Sequence, residues 1–304
     1  MKIFLLSLIA TFFCFSSFSQ PGGTIDSDGS KLYYRVYGSG EPLLIINGGP
    51  GMNSDGFAGL AIALSKTNKT IIYDQRGTGR SVLKTIDSST ITMDRMVKDI
   101  ENLRRYLHIE KWTILGHSFG GMLASYYATL YPGHIRSLVL SSSGGIDLGL
   151  LGYVSSTINS KLTAAELESV NYWTNKISAG DTSYHARLQR GLALAPAYVY
   201  DRKNIPVIAE RLTQGNSRIN SLVWQDLRKI KFDCAGKLSA ALFPVLIIQG
   251  KQDIVSAATA EKAHKAFKNS SLVFLDHSVH YGWLDNPAAY FAVVNGFLEK
   301  TQRD

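Results

Sequence analysis

Apolar residues gather into two kinds of segment. Residues 43–46, 70–73, 112–115, 135–140, 244–248 and 272–275 are short, mostly apolar runs rich in Ile, Val and Leu. They have the length of strands, and their continuous apolarity means burial on both faces. A seventh strand-like run, Lys31 to Val36, is joined to the first by the turn residues Gly38-Ser39-Gly40-Glu41-Pro42. Between the runs the period changes. Met93, Met96, Val97, Ile100, Leu103 and Leu107 recur at helical spacing, with Asp94, Lys98, Glu101 and Arg105 opposite. Weaker helical patterns cover 52–64, 122–130, 257–267 and 287–298. Strand and helix in alternation predict an α/β fold with a mostly parallel sheet and helices on both faces.

The alternation stops at about residue 145 and resumes after 230. The intervening segment is helical and irregular, which predicts an inserted helical cap over 145–230 between the two pieces of one α/β core, 20–144 and 231–304. The first nineteen residues belong to neither. Lys2, the apolar run from Ile3 to Phe15 and the small, polar stretch from Ser16 to Gln20 have the form of a signal peptide, with Ser17 and Ser19 fitting a cleavage site that leaves Gln20 first. The apolar run is short for a membrane span, so the expectation is an exported protein, periplasmic or secreted, with no stable anchor after cleavage. Cleavage removes Cys14 and leaves Cys234 alone, without a disulfide partner and read as a packing residue.

Composition adds limits. The chain has 304 residues, 45% of them hydrophobic and 18% charged, the profile of a protein that builds a core. Its net charge of +8 would suit an anionic partner, but the basic clusters (Arg104-Arg105, Arg202-Lys203, Arg228 to Lys231) are short and far apart. No aromatic-interleaved basic module accompanies them, so no nucleic-acid partner is expected.

Candidate chemistry lies at the carboxyl ends of the strand-like runs. Gly116-His117-Ser118-Phe119-Gly120 fits G-x-S-x-G, in which a tight strand-to-helix turn pushes the serine hydroxyl outward. The string alone is weak evidence, but here a strand precedes it and a helix follows. A serine hydroxyl needs a base to take its proton, and the base needs a carboxylate to orient it. Asp253 follows the run 244–248, and His280 lies in the loop after 272–275. Asp276, Asp285 and His277 are rivals by proximity. Asp253 is preferred because it follows the preceding strand, and His280 because its loop leads into the last helix. His117 is read as packing. The oxyanion formed in acyl transfer needs two backbone donors, expected from Phe119 and from Asn47-Gly48-Gly49-Pro50-Gly51. Pro50 has no N–H, so Gly49 is preferred and Gly48 is the alternative.

Asn47 to Gly51, Asp74-Gln-Arg-Gly-Thr-Gly-Arg-Ser81, Gly116 to Gly121, Gly250-Lys-Gln-Asp253 and His280, taken in order, resemble the α/β-hydrolase superfamily, and within it the proline iminopeptidase-like group. The resemblance implies an α/β-hydrolase fold and a Ser118-Asp253-His280 triad without metal or organic cofactor. It puts first an aminopeptidase acting on short peptides or amino-acyl amides. An esterase or lactonase is the second reading and a non-catalytic binding protein a remote third; Ser118 argues against the Asp-nucleophile enzymes of this fold. Asn47 departs from the His usual in that group. Asp74 and Arg76 are read as fixing the turn beneath the oxyanion loop. The resemblance further calls for cap glutamates to hold a substrate ammonium. Glu166, Glu168 and Glu210 are available, but each is read first as a solvated helix residue, since the cap carries more Lys and Arg than Asp and Glu.

Overall fold

The computed structural model describes residues 22–303; the proposed signal segment and its cleavage point lie outside them. The described residues begin with a hairpin that the apolar pattern does not announce. β1 (Gly22–Ser27) and β2 (Ser30–Tyr37) are joined by Asp28 and Gly29, both in the left-handed region at φ 45° and 79°. Asp-Gly at a two-residue hairpin turn is favoured there because both positions need positive φ. β1 has no apolar run because Ile25 is its one apolar side chain among glycine and polar residues, and half of it faces solvent.

The remaining core follows the predicted rhythm: β3 (Glu41–Ile46), α1 (Ala58–Leu64), β4 (Asn68–Tyr73), the short β5 (Val82–Leu83), α2 (Met93–Tyr106), β6 (Trp112–His117), α3 (Phe119–Leu130) and β7 (Ile135–Ser141). The insertion comes next, as α4 (Val154–Ser160), α5 (Ala164–Ser178), α6 (Tyr184–Leu194), α7 (Ile205–Leu212) and α8 (Ser217–Lys229). Core elements then return: α9 (Ala235–Leu238), β8 (Val245–Gly250), α10 (Ala257–Ala266), β9 (Ser270–Leu275), α11 (Gly282–Asp285) and α12 (Pro287–Arg303).

The strands form one sheet in the order β1-β2-β4-β3-β6-β7-β8-β9, with β5 on β2. Pairing is antiparallel where β2 takes part and parallel from β4 to β9. Successive residues of each strand point to opposite faces, which explains the unbroken apolar runs. Leu43, Ile45, Leu115, Val139, Leu246 and Ile248 pack with α1 and α12, while Leu44, Ile46, Ile114, Leu138, Leu140 and Ile247 pack with α2, α3 and α10. Each such side chain contributes about 1.5–3 kcal/mol on burial.

The cap is tied down at both ends. Its start and finish meet where Asp147 bridges Asp233 and the Cys234 N–H donates to Ile146 O at 2.8 Å. Cys234 itself is buried in the core, its thiol pushed up to about 12 by burial and by Asp233 beside it. α6 and α7 approach so closely that a Cβ on Gly191 would lie 2.6 Å from Ala209 O. α8 is no detached lid: Ile219, Val223 and Leu227 share a core with α2, and Asp226 accepts from the Met93 N–H at 2.8 Å. Among the described residues no helix is long and apolar enough to cross a membrane.

Arg76 corrects one expectation. It does not brace the oxyanion loop; it makes a bidentate bond to Asp99 of α2 at 2.6 and 2.7 Å and donates to Thr90 O at 2.8 Å. Both side chains are fully buried, and Ser27 adds a donor to Asp99 at 2.7 Å. Removing the carboxylate leaves a buried guanidinium unpaired, which costs about 3–5 kcal/mol. Asp99→Ala should therefore lower the urea midpoint by that amount of stability; a change under about 1 kcal/mol would show that Arg76 finds other partners.

Candidate active site

Ser118 sits between β6 and α3 at φ 54°, ψ −121°, a conformation that non-glycine residues adopt only when their surroundings enforce it. The enforcement is steric and polar. A Cβ on Gly116 would lie 2.5 Å from Gly120 O, one on Gly120 would lie 2.1 Å from Ile46 O, and one on Gly48 would lie 2.6 Å from Ser118 Cβ. Ser118 N donates to Ser141 O at 3.1 Å, and Ser118 O accepts from Gly121 N and Gly144 N at 2.9 Å. α3 thus starts at Phe119, earlier than its apolar period suggests. The serine side chain makes no cap bond to the helix, which leaves its oxygen free on the cavity side.

Asp253 lies beyond the end of β8 and His280 beyond the end of β9, and their side chains meet at 2.8 Å, Nδ1 to Oδ1. Both are buried. The strand end and the histidine loop can pack this tightly because residue 250 is glycine: a Cβ there would lie 2.3 Å from the carbonyls of Ser278 and Val279. The rivals have other work. Asp285 accepts from the Val279 N–H at 2.9 Å and so fixes the histidine loop, Asp276 pairs with Lys251 at the surface, and exposed His277 packs on Tyr200. The cap also holds this loop, since His280 N donates to Tyr198 O at 3.1 Å.

The loop after β3 faces Ser118 from the other side. Gly48, Gly49 and Phe119 line the same cavity as Ser118 and His280. Asn47, the departure from the resembling motif, uses its amide to tie the loop: Nδ2 donates to Gly48 O at 3.0 Å and Met52 O at 3.1 Å. Gln75 donates to Asn47 O at 2.9 Å, and Asp74 accepts from Ser54 N, Ser54 Oγ and Arg80 N. Asp74 braces the turn as expected, and Gln75, not Arg76, reaches the loop. The cap supplies the rest. Buried Arg211 of α7 donates to Gly48 O at 2.9 Å, and Asn220 of α8 donates to Pro50 O at 3.1 Å. In a trans peptide the carbonyl and the next N–H point in opposite directions. Holding the Gly48 carbonyl on Arg211 therefore turns the Gly49 N–H the other way.

The enclosed space is about 800 Å³. Four of the five cap helices offer it a stripe: Val154 and Ile158 from α4, Thr174, Ile177 and Ser178 from α5, Arg187, Arg190 and Leu194 from α6, and Asn220, Ser221 and Trp224 from α8, while α7 gives Leu212 at its end. These spacings of three and four residues are the period of a helix face. Of the cap aromatics, Tyr198 and Trp224 reach the cavity. None of the three glutamates does: Glu166 closes a capping box on α5 and pairs with Arg202, Glu168 is exposed, and Glu210 accepts from the Tyr184 hydroxyl. Arg187, Arg190 and Arg211 carry no motif, and their placement depends on how the cap helices turn. A second, more open depression of about 1050 Å³ lies at the amino ends of the strands and is lined by no Ser or Cys. Among the described residues no cluster of His, Cys, Asp and Glu is arranged to hold a metal ion.

The family model described as alpha/beta hydrolase fold matches residues 41–287. A proline iminopeptidase from Heyndrickxia coagulans is 26% identical over 287 residues, covering 91% of this chain and 98% of its own. Among solved structures, a proline iminopeptidase from Mycobacterium smegmatis superposes with a TM-score of 0.70 at 21% identity, over 92% of this chain and 98% of its own. An esterase from a Rhodococcus species superposes equally well, at 0.71 and 18% identity over 92% and 98%. Likeness at that level carries the fold and does not choose between the two chemistries.

His117, beside the serine, is buried among Phe57, His280, Tyr281 and Trp283 with ring centroids 4.7–5.4 Å away. Neither ring nitrogen has a hydrogen-bond partner. Burial pushes its pKa well below the usual 6.5, and positive charge on His280 and Arg211 adds to the effect. It is therefore neutral in the folded protein. The unfolded chain takes up this proton near pH 6.5 and the folded chain does not, so stability declines as pH falls below that value, by up to about 1.4 kcal/mol per unit. Urea unfolding at about pH 7.5 and 5.5 should show a larger loss for wild type than for His117→Phe, by about 1 kcal/mol. Equal losses would mean that His117 is protonated in the folded state.

Proposed function

The chain belongs to the alpha/beta hydrolase fold family, and on that footing we propose that it is an exported serine hydrolase that cleaves small carboxylic esters, lactones included, through an acyl-enzyme at Ser118. The observation that carries this reading is the 2.8 Å bond between buried Asp253 and His280, which with Ser118 lines the same cavity. With Nδ1–H donated to the carboxylate, His280 Nε2 is the free base. It takes the hydroxyl proton as Ser118 Oγ attacks the carbonyl carbon. The tetrahedral oxyanion accepts from the Gly49 and Phe119 N–H groups, and the imidazolium returns the proton to the leaving alcohol. Water then repeats the cycle on the acyl-enzyme.

Amino-acyl amides and short peptides, which the sequence put first, come second. The names of the relatives support them, but an aminopeptidase has to hold a substrate ammonium, and a desolvated ammonium needs a carboxylate. Among the described residues no Asp or Glu lines the cavity. Ester cleavage makes no such demand.

Protein recovered from the exported fraction should begin at Gln20 by intact mass, and a fluorophosphonate should label it at Ser118. Chromogenic acyl esters should turn over faster than prolyl or alanyl anilides. Asp253→Asn should lower kcat by about 10⁴ with the fold intact. Absence of both labelling and turnover in wild type sinks the hydrolase reading, and anilides as the better substrates restore the peptidase.

Arg211 acts through Gly48 and not on substrate. Arg211→Met should lower kcat about 10- to 100-fold, the scale of a misplaced oxyanion donor, with KM little changed and Arg211→Lys intermediate. A loss confined to KM would instead give Arg211 a role in binding.

A further inference from the structure

The charges on the cavity wall are all of one sign. Arg187 and Arg190 stand one turn apart on the face of α6 that continues to Leu194, and neither has a carboxylate within ion-pair distance among the described residues. With no Asp or Glu on the wall, their counter-charge is not supplied by the cavity. Arg190 is half-buried and held in place: its Nε donates to Thr174 Oγ1 of α5 at 2.9 Å. That single bond fixes the guanidinium plane and leaves its terminal nitrogens for another acceptor. Tyr198 lines the same cavity, and its ring packs against His280 with centroids 5.7 Å apart. Burial and Tyr281 raise the Tyr198 pKa, and the charge of Arg190 opposes them.

A partly desolvated guanidinium with no carboxylate partner is costly unless a ligand neutralises it. Carboxylates accept the planar fork of arginine in bidentate fashion. We propose that this cavity selects acyl substrates that carry a carboxylate, held by Arg190 with Arg187 at the mouth, on the wall of the same cavity that His280 lines. The proposal rests on the hydrolase reading for the reaction and deepens it by naming the substrate class. It also accounts for the missing ammonium site: the same positive wall that attracts an acid repels an amine.

The test has a kinetic arm and a binding arm. In the first, p-nitrophenyl half-esters of dicarboxylic acids of graded length are compared with neutral esters of matched length and with an aminoacyl ester. Wild type should prefer at least one half-ester by 30-fold or more in kcat/KM, and Arg190→Gln should shrink that preference about 10-fold or more through KM. Arg202→Gln, whose guanidinium lies outside the cavity on Glu166, should leave the preference as it is. In the second arm, Ser118→Ala protein is titrated with the free dicarboxylates, their diamides and matched diamines, and the melting temperature is followed. Dicarboxylates alone should raise it, and Arg190→Gln should abolish the rise. A neutral or aminoacyl ester preferred by wild type, a preference unmoved by Arg190→Gln, or equal shifts from diamides overturns the proposal. Because the binding arm needs no turnover, dicarboxylate binding without any Ser118 labelling overturns the reaction assigned to Ser118 and leaves the ligand class standing.

Discussion

The whole site hangs on one strained residue. Ser118 holds a left-handed backbone conformation that costs on the order of 1–3 kcal/mol, and it persists because the chain can be threaded past it at atomic contact. Gly48, Gly116 and Gly120 each stand where a Cβ would fall 2.1–2.6 Å from a fixed atom. Those contacts bring the end of β6, the start of α3 and the loop after β3 to a single point. The hydroxyl, the first N–H of the helix and the donor loop are therefore placed by one packing event. The strain is supported by a sheet whose two faces bury Ile, Leu and Val almost without gaps, so the local cost is small beside the surrounding burial.

What the elbow does not fix, the insertion does. Arg211 and Asn220 reach from α7 and α8 to the carbonyls of the donor loop, and Tyr198 offers its carbonyl to the His280 N–H. α8 is welded to the core through Ile219, Val223 and Leu227. The cap is thus a structural half of the site and not a cover laid over a finished one. A mutation in α7 can disturb the reacting groups without touching a substrate, which makes residues far from the motifs matter for rate.

The core was legible in the sequence because its physics is local. Strands buried on both faces read as continuous apolar runs, α2 reads as a 3.6-residue period, and tight turns advertise themselves as glycine. Strand ends fix where loops emerge, which is the reason for preferring Asp253 to Asp276 and Asp285. β1 is not legible because a half-exposed edge strand with Ile25 as its one apolar side chain has no apolar run to detect. Arg76 was assigned to the wrong neighbour because a sequence shows a basic residue after a strand but not which of two adjacent elements it faces. The cap residues were illegible for the same reason on a larger scale. Nothing in the spacing of α6 says which of its faces will turn inward once α5 and α7 have packed.

That illegibility bears on how substrate class is inferred. The motifs shared with proline iminopeptidases lie in the core, where the reaction demands them, and they say the same thing for an ester as for an amide. Specificity is written in the cap, where the fold constrains little. Here the cap glutamates are spent on a helix cap, on Arg202 and on a tyrosine, all outside the cavity, while two arginines without carboxylate partners face inward. Charge complementarity is a difference of affinities: a wall that favours an acid disfavours an ammonium by a comparable amount. The core motifs therefore speak to the acyl-enzyme and no further. The sign of charge on the cap-side wall is the stronger guide to what enters.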